Sequence, residues 1–146
     1  MTTPQAYLVD DDEAIRDALS WLLKSRGLPC TAYDSAESFL AAWHKNMSGC
    51  VVLDMRMSGM TGLDCFDQLR ERQSTLPVIF LTGHGDVPLA VATLKKGAFD
   101  FFEKPLNDND LATRIEEAMA LDARQRAANA TVDSVKARIS SLTTRE

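Results

Sequence analysis

Two four-residue runs, Cys50-Val51-Val52-Leu53 and Val78-Ile79-Phe80-Leu81, are apolar at every position. A strand with one face in water alternates apolar and polar residues. An unbroken run therefore predicts a strand covered on both sides, as in a parallel sheet between helices. The surrounding sequence agrees. Ala6 to Val9 predicts a first strand, Cys30 to Tyr33 a second, and Ala98 to Phe102 a fifth that Lys104-Pro105 stops. After Asp12, residues Ile15, Leu19, Leu22 and Leu23 recur at i, i+4, i+7 and i+8, one face of a helix that Gly27 ends. Ser35 caps a second helix that buries Phe39, Leu40 and Trp43. A loop with Gly59 and Gly62 leads to a third helix carrying Leu63, Phe66 and Leu69. Val87 to Lys96 predicts a fourth, and Leu111, Ile115, Ala118 and Met119 mark a fifth.

Five strand–helix units in about 120 residues predict an α/β fold, a flavodoxin-like, doubly wound, five-stranded parallel sheet in the order 2-1-3-4-5. In such sheets ligands bind beyond the carboxyl ends of the strands, at the topological switch point. Those ends carry Asp10-Asp11-Asp12 after the first strand, Asp54 after the third, Thr82 after the fourth and Lys104 after the fifth. Each has a plain reading by itself: a solvated, helix-capping turn for the aspartates (Asp12 above all), an Asx turn at Asp54, ordinary loop residues at Thr82 and Lys104. Their convergence on one rim outweighs those separate readings. Clustered carboxylates raise one another's pKa and stay ionised only beside a compensating cation. An all-oxygen site suits Mg²⁺ or Mn²⁺. A lysine, a hydroxyl and an attacking carboxylate complete a phosphoryl clamp, and phosphoryl transfer asks for little beyond such positioning and charge.

Charge supports this assignment. The formal net charge is −5, and the segment from Asp122 onward holds five basic and three acidic residues, so residues 1–121 carry −7. That body lacks the basic footprint of direct nucleic-acid binding. Cys30, Cys50 and Cys65 have no CxxC spacing and are read as reduced small hydrophobes. The opening Met1-Thr2-Thr3-Pro4-Gln5 is unlike a secretory signal, and no apolar stretch approaches the ~20 residues that span a bilayer, so a cytoplasmic location is expected.

Val9-Asp10-Asp11, the Asp54 that precedes Met57 and Gly62, Thr82-Gly83 and Lys104-Pro105 together resemble the receiver domains of two-component response regulators. The segments Leu81-Thr82-Gly83-His84-Gly85-Asp86-Val87-Pro88 and Phe99-Asp100-Phe101-Phe102-Glu103-Lys104-Pro105 are most similar to the branch that includes the nitrogen-fixation regulators. The resemblance implies a phosphoacceptor at Asp54 and a Mg²⁺ site built from Asp10, Asp11, Asp54 and the backbone carbonyl of Arg56. It implies Lys104 paired with the phosphoryl group, Thr82 and Phe101 as switch residues, and a cis peptide at Lys104-Pro105. Arg56 and His84 would flank the path of the hydrolytic water and tune the lifetime of the acyl phosphate. A sensor histidine kinase is the implied donor and a homodimer the implied phosphorylated state. DNA would be reached only through a separate output domain. Beyond phosphotransfer to itself and slow self-hydrolysis, no enzymatic activity is expected. Two positions depart from the pattern: Ser58, where proline is usual, and Leu106, where phenylalanine is common.

Two other classes fit the sequence less well. Aspartyl-nucleophile phosphatases of the haloacid-dehalogenase type need a second aspartate two residues after the first, and position 56 is arginine. Receiver-like modules that bind without phosphorylation lose the acidic pair, the acceptor or the lysine, and all are present. His44 and His84 are read as surface and loop residues. The expected organisation is a receiver over 1–121, a helical linker over 122–141, and at 142–146 the start of a helix-turn-helix output domain otherwise absent. Ala118, Leu121, Ala128, Val132, Val135, Ile139 and Leu142 form a coiled-coil-like seam with nothing to pack on inside a receiver. Against it stands the reading of a frayed tail.

Overall fold

The computed structural model describes residues 3–83 and 85–143, with side chains as far as Ala130. The elements alternate throughout: β1 (Gln5–Val9), α1 (Glu13–Ser25), β2 (Cys30–Tyr33), α2 (Ala36–Ala42), β3 (Gly49–Asp54), α3 (Gly62–Glu71), β4 (Val78–Thr82), α4 (Val87–Lys95), β5 (Asp100–Glu103) and α5 (Asp108–Thr143). The strands form one sheet in the order β2-β1-β3-β4-β5, every pair parallel, as the sequence predicts. In the register Val9 stands beside Leu53 and Asp54 beside Leu81, so the carboxyl ends of β1, β3 and β4 line up on one rim.

The unbroken apolar runs are explained by burial on both faces. Val51 and Leu53 of β3 pack with Tyr7, Phe39, Phe66, Leu69 and Phe80 under α2 and α3. Cys50 and Val52 face the other way, onto Leu19 and Leu23 of α1 and Leu111 and Ile115 of α5. Burying a side chain of this size contributes about 1.5–3 kcal/mol. The two layers are therefore the main favourable term holding the rim in place. Asp12 caps α1 by accepting from the Ala14 N–H at 2.9 Å, and Ser35 caps α2 through the Ser38 N–H. Thr61 and Asp64 form a reciprocal capping box that starts α3.

Three expectations need correction. The fifth strand begins at Asp100, not Ala98, because the Gly97 and Ala98 N–H groups close the end of α4 on the Leu94 and Thr93 carbonyls. Trp43 is only half-buried: α2 stops at Ala42, and Trp43 leaves in an extended conformation with the Arg72 guanidinium 5.7 Å from its ring centre. The expected long helix is continuous from Asp108 to Thr143, but the start of its seam does find a partner within the receiver. Ala118 is fully buried in the core and Leu121 half-buried, whereas Ala128 is exposed. The side chains of Val132, Val135, Ile139 and Leu142, and residues 144–146, lie outside the described residues.

Gly62 shows how closely the scaffold grips the rim. A Cβ there would sit inside the Asp54 carbonyl oxygen and 2.9 Å from the Asp54 carbonyl carbon and the Met55 Cα. Those atoms are backbone and cannot swing aside. Gly62→Ala should lower the urea midpoint by the equivalent of at least about 2 kcal/mol, beyond the ~1 kcal/mol that alanine at an ordinary position changes. Equal midpoints for variant and parent would show that the loop after Asp54 yields.

Candidate phosphoacceptor site

Asp10 leaves β1 with its N–H on the Tyr33 carbonyl, and Asp54 is the last residue of β3. Both are buried, at 2% and 6% exposure, whereas Asp11 is exposed. The three carboxylates nevertheless converge, each with an oxygen within 4.8 Å of the others. Lys104, just past β5, places Nζ 3.5 Å from Asp10 Oδ2 and 3.5 Å from Asp54 Oδ1. Its own N–H donates to the Thr82 carbonyl at 2.8 Å, which ties the lysine to the end of β4. The Lys104-Pro105 peptide is cis. Asp54, Asp10, Asp11 and Lys104 thus form one cluster.

Of the other expected residues, Thr82 ends β4, Phe101 lies on β5 and Arg56 follows β3. Thr82 is buried, with its hydroxyl directed at the Phe102 carbonyl at 3.5 Å. Phe101 is half-buried on β5 and packs against the α3 and α4 side of the core. The Arg56 N–H faces Asp54 Oδ1 at 3.4 Å. His84 lies outside the described residues.

Sequence reasoning missed three partners. The Arg56 guanidinium grips Asp86 through Nε–Oδ2 and Nη2–Oδ1, both 2.6 Å, joining the loop after β3 to the loop after β4. That bidentate pair holds the Asp86 carboxyl below its ordinary range. Asp86 stands where a helix cap is expected, but its side chain makes no capping bond to α4. Ser58 donates its N–H and its hydroxyl to Asp11. At the opposite end of the sheet, buried Asp122 on α5 accepts from the Gly49 N–H at 2.9 Å. Arg126 pairs with Asp122 at 2.8 Å and reaches the Met47 carbonyl. An acid in line with Leu111, Ile115 and Ala118 on the buried face of a helix was the available signal for this last pair.

The electrostatics are strained. Burial, and then the neighbouring Asp10, raise the Asp54 carboxyl to about 6, with Lys104 and the Arg56 N–H pulling the other way. Asp10 Oδ2 is buried and accepts no hydrogen bond. An all-oxygen cluster with an orphaned carboxylate oxygen and a single nearby ammonium fits a small divalent cation.

Ionising Asp54 therefore costs the folded state stability. The cost is absent below the unfolded value near 3.8, grows from there to about 6, and is complete above. Without divalent ions, Asp54→Asn should be more stable than the parent by about 1–3 kcal/mol at pH 7–8, an advantage that fades as pH falls toward 4. Melting curves across that range check it, and an advantage that grew toward acid would contradict the stated environment of Asp54.

The profile described as the response regulator receiver domain matches residues 6–116. The chain is 43% identical over 147 residues to the transcriptional regulatory protein FixJ of Bradyrhizobium diazoefficiens, covering all of this chain and 72% of that protein. It is 42% identical to the response regulator TodT of Pseudomonas putida, covering 96% of this chain and 62% of that one. The solved structure of the response regulator StyR superposes with a TM-score of 0.90 at 37% identity, covering 95% of this chain and 70% of that one. The profile match, these relatives and the strand-end cluster lead to one assignment: the chain belongs to the receiver domains of response regulators.

Proposed function

We propose that this chain is a phosphorylation-controlled switch whose acceptor is Asp54 and whose donor is the phosphohistidine of a sensor kinase. The observation that carries the reading is Lys104 Nζ at 3.5 Å from both Asp10 and Asp54, on a rim of three carboxylates. In the reaction, an Asp54 oxygen attacks phosphorus, the N–P bond breaks, and the imidazole leaves with the electron pair and takes up a proton. Lys104 lies where it can neutralise the entering phosphoryl oxygens. Asp10, Asp11, Asp54 and the Arg56 carbonyl would hold Mg²⁺ or Mn²⁺, which supplies charge compensation when bound. Cytoplasm is the compartment this reading requires, since the donor is there.

The same reading covers the response. Thr82 turning from the Phe102 carbonyl toward a phosphoryl oxygen would free space that Phe101 can fill. Phe101 lies beside α4, whose Leu89 and Val91 are 41% and 40% exposed, so the face of α4, β5 and α5 is the one we expect to dimerise. Transcription control is the output we infer, because FixJ is named a transcriptional regulator. Lifetime tuning by Arg56 and His84 stays part of the proposal. Asp86, which anchors the Arg56 side chain, joins them.

Intact mass after incubation with Mg²⁺ and acetyl phosphate tests the acceptor. One base-labile adduct is expected on the parent, none on Asp54→Asn, and uptake slowed on the order of a hundredfold in Lys104→Ala. Adduct formation on Asp54→Asn at the parent rate would refute the assignment. The phosphorylated sample, followed over time and sized by light scattering, tests the remaining claims. Arg56→Ala/His84→Ala should lose its phosphoryl group several-fold faster than the parent, and Phe101→Ala should stay monomeric while phosphorylated. Unchanged decay or unchanged association would return those residues to a purely structural role.

A further inference from the structure

Asp11 differs from the two carboxylates beside it. Asp10 and Asp54 are held by burial, but Asp11 is exposed at the start of a loop, and packing does not restrain its side chain. It is restrained by Ser58, 47 positions later in the loop after β3. The Ser58 N–H lies 3.0 Å from Asp11 Oδ2, and the Ser58 hydroxyl lies 3.2 Å from the same oxygen. Both bonds go to one oxygen, so the other makes no bond to Ser58. The carboxylate so held keeps an oxygen within 4.8 Å of Asp10 and Asp54.

We propose that Ser58 is a positioning residue for the divalent-cation site, tethering Asp11 so that its carboxylate stands ready as a ligand. The inference rests on the cation reading above and deepens it. Two donors on Oδ2 withdraw negative charge from Asp11 and ease its repulsion with Asp10 and Asp54, which would otherwise drive an exposed side chain outward. They also fix its rotamer before the ion arrives, the service that partners behind a metal ligand commonly provide. Proline at this position would supply neither donor, having no N–H and no hydroxyl. The departure at position 58 is thus the means by which this chain steadies the exposed carboxylate of the cluster. Were the tether instead a competitor for Asp11, removing it would tighten cation binding.

Mn²⁺ titration of the full chain, with free ion counted by electron paramagnetic resonance, decides between these. Ser58→Ala keeps the N–H and should weaken Mn²⁺ binding a few-fold. Ser58→Pro loses both donors and should weaken it about tenfold, at the lower end of what such partners contribute. Should proline prevent folding, Ser58→Ala carries the test alone. In an Asp11→Ala background the same substitutions should make no further difference, because the tether then holds nothing. Parent-like or tighter binding by the Ser58 variants overturns the inference, as does a loss that persists undiminished without Asp11. A parent that binds no Mn²⁺ would remove the cation reading itself, and this inference with it.

Discussion

Three carboxylates within 4.8 Å of one another, two of them buried, form an arrangement that a protein avoids unless something is to be bound there. Lys104 offsets part of the repulsion, but one ammonium at 3.5 Å from two acids leaves the third uncompensated. The remainder is visible as an Asp54 carboxyl displaced to about 6 and an Asp10 oxygen that has the Lys104 ammonium at 3.5 Å but no hydrogen bond. The bonds around the rim fall into place on that account. The Asp12 N–H goes to Asp10 at 2.9 Å, the Arg56 N–H faces Asp54, and Ser58 takes Asp11. Each acid is given a donor from a loop backbone, and none of those donors carries a charge that could fully neutralise the cluster.

A cluster under this strain holds its shape only because the sheet beneath it is rigid. The residues that bring Asp10 and Asp54 together are the last turns of strands buried on both faces, and Val9 beside Leu53 sets their register. A slip by one residue in either strand would exchange the side chains under α2 and α3 with those against α1 and α5 along the whole run. The apolar character of β1 and β3 therefore specifies the geometry of the acids as well as the stability of the domain. The close approach of Gly62 to the Asp54 backbone extends the same restraint into the loop that carries Arg56 and Ser58.

This division explains what was legible in the sequence. Asp10, Asp54 and Thr82 each end an apolar run, Lys104 follows the end of β5, and strand topology alone brings such positions to one rim. The five strands and their order were readable for the same reason. The bonds of Asp86 to Arg56, Ser58 to Asp11 and Asp122 to Gly49 were not readable, because they span 30, 47 and 73 positions and are chosen by reach after the fold has formed. The early start assigned to β5 has a local cause. Ala98 is apolar like a strand residue, but a helix-ending turn claims its N–H. Ala118 and Leu121 fit a coiled-coil stripe and a receiver core equally well in sequence, and only tertiary packing separates the two.

The far end of the sheet holds a second buried acid, on α5. Asp122 is buried as completely as Asp10 and, like it, keeps one oxygen without a hydrogen bond, while its other oxygen takes both the Arg126 guanidinium and the N–H that opens β3. Moving α5 along its axis by one residue would also turn it by about 100° and take Asp122 away from Gly49. A buried acid and a buried N–H would then be left apart, at a cost of several kcal/mol. Sliding is thereby discouraged, and Arg126, bound to the Met47 carbonyl, holds the helix a further turn below the core. α5 is thus registered against β3 at one end of the strand, while the other end of the same strand carries Asp54. Through the Gly49 N–H, β3 thus joins Asp54 at its carboxyl end to Asp122 of α5 at its amino end.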